Sequence, residues 1–276
     1  MAPFYDLYFK LKHIFLYSSF LLYIHIILIT IFRMNKFFYV FIILGITGCA
    51  TRDIMLDSFE FKPMKTTQHT IATWQKITNK NQPIHIYIEG DGRAFFANGA
   101  VSPDPTPRDN FVRDLVAHDM YSNVVYIARP CQFIRDENCD FHDWTDARFS
   151  KNNIDSIAYA IKQIAQNQPI VLIGYSGGAM ASALVIQNNP DIKIQKWVTI
   201  AGVLNHHDWT EYFGDSNLDK SLNIKNLPDV PQIHYAGTDD LIVPIELSKK
   251  WVPKNKLRIV PGATHTNFLD FKPDLQ

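Results

Sequence analysis

The chain has 276 residues, 47% of them hydrophobic, with 27 basic and 27 acidic side chains and a formal net charge of zero. That length accommodates one sizeable α/β domain and a leader. Balanced charge, with no basic stripe, internal repeat or low-complexity tract, argues against a polyanion-binding module or a disordered tail, so no nucleic-acid partner is expected.

The amino-terminal region reads as targeting sequence rather than fold. Residues 14–32 form an apolar run with one histidine and no acid or fixed base, long enough to span a bilayer. A second apolar run, 37–46, begins only four residues later, across Arg33, Met34, Asn35 and Lys36. Two spans cannot easily turn through so short a link. The simpler reading starts translation at Met34; a transmembrane segment or a long leader is the alternative. From Met34 the order is a charged start, an apolar stretch and the ending Ile46, Thr47, Gly48, Cys49, the outline of a signal peptide. Those four residues resemble the lipobox of bacterial lipoproteins, whose cysteine is lipidated and becomes the mature terminus. The resemblance implies a leader at 1–48, of which 34–48 is the signal peptide, a membrane anchor at Cys49 and a short tether at 49–57. With Ala50 next, it also implies an outer-membrane protein facing the periplasm. A tether of nine residues reaches about 30 Å when extended, so the domain at 58–276 would stay near its membrane.

Within that domain, 59–61 and 70–77 read as one or two antiparallel edge strands. Apolar runs at 84–88, 124–128, 170–173, 197–201, 233–237 and 257–260 follow as strands. Several lack apolar–polar alternation, as strands covered on both faces do. Helical patterns lie between them. One is 111–117; another runs through Ile154, Ile157, Ala158, Ile161, Ile164 and Ala165 with Asn153 as N-cap; a third is the small-residue run 179–186. Repeated strand and helix predict an open, mostly parallel, doubly wound sheet flanked by helices, with right-handed crossovers.

Two long irregular segments, 129–150 and 203–228, follow strand carboxyl ends, where open α/β sheets bind ligands. Loops this long are usually functional, and both are expected to wall a substrate site. The first offers Trp144, Asp146, Arg148 and Phe149, and the second His206, His207, Trp209 and Tyr212. The first also holds Cys131 and Cys139, eight positions apart, which an exported protein would join as a disulfide.

Gly174, Tyr175, Ser176, Gly177 and Gly178 lie between strand 170–173 and helix 179–186. A serine there occupies a strained turn, and small residues two before and two after it let strand and helix approach. A nucleophilic serine needs a base, and the base needs an orienting carboxylate. Strand 233–237 leads into Thr238, Asp239, Asp240, Leu241, Ile242, Val243 and Pro244; strand 257–260 leads into Pro261, Gly262, Ala263, Thr264 and His265.

Across 84–271 the chain therefore resembles the α/β-hydrolase superfamily of serine hydrolases, through the elbow, G-x-x-D-x-x-V-P at 237–244 and G-x-x-H at 262–265, in the order Ser, Asp, His. The resemblance implies the α/β-hydrolase fold, with Ser176 as nucleophile, His265 as base and Asp240 as orienting acid, leaving Asp239 as a turn residue. It places oxyanion donors at the amide of Gly177 and, by position after strand 84–88, the amide of Asp91. Glu89 stands where the family often has His-Gly. An ionised carboxylate aimed at the oxyanion would oppose it, so Glu89 is expected to point elsewhere, toward Arg93.

The expected chemistry is cleavage of an ester or related acyl bond in a small-molecule or lipid substrate, through an acyl-enzyme on Ser176. No zinc-finger, H-E-x-x-H or phosphate-cradling glycine motif is present, so neither metal nor cofactor is expected. Two alternatives use the same residues. One is a catalytically silent binding lipoprotein on this fold, for which Glu89 argues; the other is a serine acyltransferase, in which an alcohol or amine captures the acyl group.

Overall fold

The computed structural model describes residues 58–268 and 272–275. The expected leader, Cys49 and the whole tether at 49–57 lie outside them. Eight strands form one sheet: β1 (Glu60–Lys65), β2 (Thr70–Ile77), β3 (Ile84–Ile88), β4 (Asn123–Ile127), β5 (Ile170–Tyr175), β6 (Ile194–Ile200), β7 (Gln232–Gly237) and β8 (Leu257–Val260). Their spatial order is β1-β2-β4-β3-β5-β6-β7-β8. The pairs β1·β2 and β2·β4 are antiparallel, and every pair from β4 to β8 is parallel. This is the open, mostly parallel sheet that the alternation of strand and helix predicts.

The central strands are apolar throughout because both of their faces are covered. β3 sends Ile84, Ile86 and Ile88 to one face, and β5 adds Ile170 and Leu172 there. Tyr87, Val171 and Ile173 face the other way. Helices α2 (Lys151–Ala165) and α3 (Gly177–Asn188) cover the first face, and α1 (Phe111–His118) covers the second through Val112 and Val116. Burying each such aliphatic side chain contributes about 1.5–3 kcal/mol. α3 is buried from Gly177 to Ile186, which is why its sequence shows no polar face.

Three local expectations differ from the structure. Asn153 does not cap α2: Ser150 does, its side chain accepting from the Asn153 amide at 3.4 Å. Asn153 is fully buried, and its Nδ2 donates to the carbonyls of Asp143 and Ala147, both at 3.1 Å. The helix begins on polar residues 151–153, ahead of its apolar period, so the period alone starts it late. The irregular segments also hold short helices. A 3-10 turn, Phe141–Trp144, closed by an Asp140–Asp143 capping box, sits in the first, and α4 (His206–Phe213) sits in the second. A further short helix, α5 (Ile245–Trp251), follows β7. Cys131 and Cys139 are joined as a disulfide.

Candidate active site

Ser176 directly follows β5 and caps α3 with φ 49° and ψ −123°. Side chains rarely tolerate that backbone, and such strain gathers at functional sites. The elbow closes only because its flanks lack side chains. A methyl built on Gly178 would sit 2.4 Å from the Ile88 carbonyl oxygen, and one on Gly174 would sit 2.5 Å from that of Gly178.

His265 arrives on the turn after β8 and brings Nε2 to 3.1 Å from Ser176 Oγ. Its Nδ1 lies 2.9 Å and 3.2 Å from the two carboxylate oxygens of Asp240. Asp240 is 3% exposed, and its Oδ1 accepts the amides of Ile242 at 2.9 Å and Val243 at 2.8 Å. The carboxylate is thus fixed by its own turn. A proton on Nδ1 facing it leaves Nε2 free to accept from the Ser176 hydroxyl. Asp239 faces away, exposed, with Oδ1 accepting from Thr238 Oγ1 at 2.7 Å.

On the opposite side of Ser176 lies the loop after β3. A methyl on Gly90 would meet Ser176 Cβ at 3.0 Å, and one on Gly177 would meet Asp91 Oδ1 at 2.1 Å. The Asp91 side chain therefore crosses the first turn of α3. Neither the Asp91 amide nor the Gly177 amide donates a hydrogen bond among the described residues. The Asp91 carboxylate accepts from Arg129 Nη1 at 3.1 Å and from Arg148 Nη1 at 2.7 Å. Burial by itself would raise this carboxyl, but Arg148 and Arg129 outweigh it and hold it below the ordinary carboxylate value. Arg129 also donates to the Arg148 carbonyl. Gln132 donates to the Gly90 carbonyl and accepts the Arg129 amide, both at 3.0 Å.

Arg129, Gln132 and Arg148 thus form a clamp on the loop. Sequence reasoning missed the clamp and assigned Asp91 for its amide alone. The signal was present in Arg129, a charged residue directly after a parallel strand, at the sheet edge where sites form.

Glu89 does not reach toward Arg93. Its Oε1 accepts the Gly90 amide at 2.8 Å and its Oε2 accepts the Tyr126 hydroxyl at 2.7 Å, while the Arg93 guanidinium lies over the Phe96 ring. The residue is 4% exposed, and the adjacent strand β4 supplies a buried phenol that it can satisfy without solvent. Burial pushes the Glu89 carboxyl up to about 7, against the hydrogen bonds from Tyr126 and Gly90.

These groups surround a cavity of about 390 Å³, within the size range of small-ligand sites. Both expected wall segments contribute, Arg148 and Phe149 from the first and His206 and Trp209 from the second. Trp144, Asp146, His207 and Tyr212 do not line it. Trp144 is buried with its indole donating to the Ser102 carbonyl, and Asp146 pairs with His142 and Lys220. A larger cavity of about 1060 Å³ beside α1 includes none of Ser176, Asp240 and His265. His69, Cys131 and Cys139 bring possible metal ligands within 4.8 Å of one another. Their two sulfurs are spent in the disulfide, however, and His69 lies between Asp136 and Asp143.

No protein-family model matches the chain, and no curated protein matches it in sequence. Solved structures do match. An esterase from Pyrococcus furiosus aligns with a TM-score of 0.51 at 15% identity, over 79% of this chain and 87% of its own. The thioesterase domain from the curacin biosynthetic pathway aligns with a TM-score of 0.51 at 12% identity, over 77% of this chain and 95% of its own. At such identities the likeness establishes a shared fold, the α/β-hydrolase fold.

Proposed function

We propose that this chain is a serine hydrolase that cleaves a carboxylic ester or related acyl bond through an acyl-enzyme on Ser176. The hydrogen-bonded line from Asp240 through His265 to Ser176, set on a strained elbow, carries the reading. Ser176 Oγ attacks the acyl carbonyl carbon as its proton passes to His265 Nε2. The carbonyl oxygen becomes an oxyanion beside the uncommitted amides of Gly177 and Asp91, and Asp240 stabilises the imidazolium. Collapse breaks the bond to the leaving group, which takes the proton from His265. Water, deprotonated by His265, then attacks the acyl-enzyme and releases the acid. Glu89, the departure that favoured a silent fold, has both oxygens engaged by Gly90 and Tyr126.

The sequence supports the rest of the proposal: a lipid anchor at Cys49 and a place in the bacterial cell envelope, with the domain facing the periplasm. The Cys131–Cys139 disulfide fits an oxidising compartment. A fluorophosphonate probe tests the chemistry: it is expected to label the folded protein at Ser176, and Ser176→Ala is expected to abolish labelling. Folded protein that resists the probe and turns over no acyl substrate overturns the reading. Incorporation of radiolabelled fatty acid that survives Cys49→Ser overturns the anchor.

A further inference from the structure

The clamp on Asp91 leaves one hydrogen-bonding edge unspent. Arg148 uses Nε on the Thr145 carbonyl at 2.7 Å and Nη1 on Asp91 Oδ2 at 2.7 Å. Its Nη2 has no protein partner among the described residues, and the side chain, 10% exposed, lines the cavity that holds Ser176. Arg129 differs: its unpartnered Nε is sealed from solvent. Two guanidinium groups share the single carboxylate of Asp91, so the clamp carries an excess positive charge at the cavity wall.

Other charges on the cavity do not cancel it by contact. Glu89 is committed to Gly90 and Tyr126, and Asp109 Oδ1 accepts the Phe111 amide at 3.1 Å. The effect reaches His206 on the same wall, which burial first, and then Arg148 and His207, hold below the ordinary histidine value. Most polar groups taken out of water in folded proteins are hydrogen-bonded. A charged N–H that no protein group claims, on a side chain that lines the cavity beside Ser176, is placed to meet an acceptor that arrives with the ligand, and arginine is the side chain best matched to carboxylate and phosphate oxygens.

We propose that the substrate carries, besides its scissile acyl bond, an anionic oxygen group, a carboxylate or a phosphate, which Arg148 Nη2 binds while Ser176 attacks. Arg148 is then a specificity-determining residue as well as part of the clamp. The inference rests on the serine-hydrolase reading and narrows it from esters in general to esters of charged acids or charged alcohols.

Matched substrate pairs test it. In one arm, 4-nitrophenyl half-esters of glutarate, adipate and suberate are compared with neutral 4-nitrophenyl esters of equal chain length. In the other, 1-butyryl-glycerol 3-phosphate is compared with glycerol monobutyrate. The inference expects at least one charged member to exceed its neutral partner by about tenfold or more in kcat/KM, the size of one charge-assisted hydrogen bond. The arm that responds tells carboxylate from phosphate. Arg148→Gln should bring that ratio to within about twofold of one, and Arg148→Lys should retain part of it. A wild-type enzyme that turns over the neutral esters but prefers no charged partner overturns the inference whatever the variants do. A ratio that Arg148→Gln leaves intact, with Ser176 still labelled, also overturns it. Fluorophosphonate labelling run in parallel separates the two failures. Labelled enzyme without charge preference sinks only the role of Arg148; unlabelled, inactive enzyme sinks the serine-hydrolase reading and this inference with it.

Discussion

The two sides of Ser176 are built by different means. On the side of the proposed acid and base, Asp240 is fixed by amides two and three residues along its own chain, and His265 follows the next strand. On the side of the proposed oxyanion donors, the Glu89–Asp91 loop is held from far away in sequence: Tyr126 grips Glu89, Gln132 grips Gly90, and Arg129 and Arg148 grip Asp91. The first side is a set of local turns placed by the sheet. The second is a polar network whose members have no meaning apart from one another. Each side is a hydrogen-bonded network whose losses should be non-additive, but the first should fail in chemistry and the second in loop geometry and stability.

The sharpest test lies on the local side, between two adjacent carboxylates. Asp240→Asn should keep the turn but lose the charge behind His265, lowering kcat by about 10⁴-fold, as an uncharged orienting residue does in triads. Asp239→Asn, exposed and bonded only to Thr238, should leave kcat within about twofold. Steady-state rates on a 4-nitrophenyl ester decide it, and equal losses from both variants would erase the distinction.

On the networked side the largest effect should be on stability. Asp91→Asn removes the counter-charge of two buried guanidiniums, a change of the kind that costs about 3–5 kcal/mol. Urea denaturation measures it. A loss below about 1 kcal/mol would mean that solvent, not Asp91, satisfies the arginines, and the contrast between the two sides would collapse.

The same contrast explains what could be read from the amino-acid order. Residues 170–188 announce strand, elbow and helix because each of Gly174, Ser176 and Gly178 is demanded by its immediate neighbours. The choice of Asp240 over Asp239 rests on a motif eight residues long, and the structure places Asp240, not Asp239, against His265. The doubly wound sheet was legible from apolar runs for an equally local reason. The clamp was not, because an arginine at 129 and another at 148 gain their partner only after β3 and β4 lie side by side. Glu89 misled for the same cause: Arg93 is near in sequence, whereas Tyr126 is near in space. Helix α5 was missed because seven residues are too few to show a period.

Glu89 gives the networked side a pH signature. The folded chain holds its carboxyl proton up to about pH 7, whereas an unfolded chain releases it near 4.5. Between those values the native state binds more protons than the unfolded state, so stability falls as pH rises through the window. The shift corresponds to about 3 kcal/mol at most, most of it lost by pH 8. Glu89→Gln keeps a hydrogen-bonding amide beside Tyr126 and carries no charge, so its stability should change less between pH 5 and pH 8.5. Parallel urea titrations at the two pH values test this, and matching pH slopes for both proteins would show that Glu89 titrates normally.

The smallest effect should come from the disulfide, which braces the segment that carries the clamp without touching the reacting atoms. Cys131 lies between Arg129 and Gln132, the residues that hold Asp91 and Gly90, and the ring closes over a separation of only eight positions. Loop-closure entropy for so short a ring is worth about 2–3 kcal/mol. Replacing both cysteines by alanine should lower stability by that amount. Arg148 lies outside the ring and remains anchored through the Thr145 carbonyl, so one half of the clamp survives and Ser176 should still react with the probe, more slowly. If the double variant loses labelling as completely as Ser176→Ala while remaining folded, the brace sets the oxyanion loop itself. The two sides of the site would then differ less in their construction than their hydrogen bonds indicate.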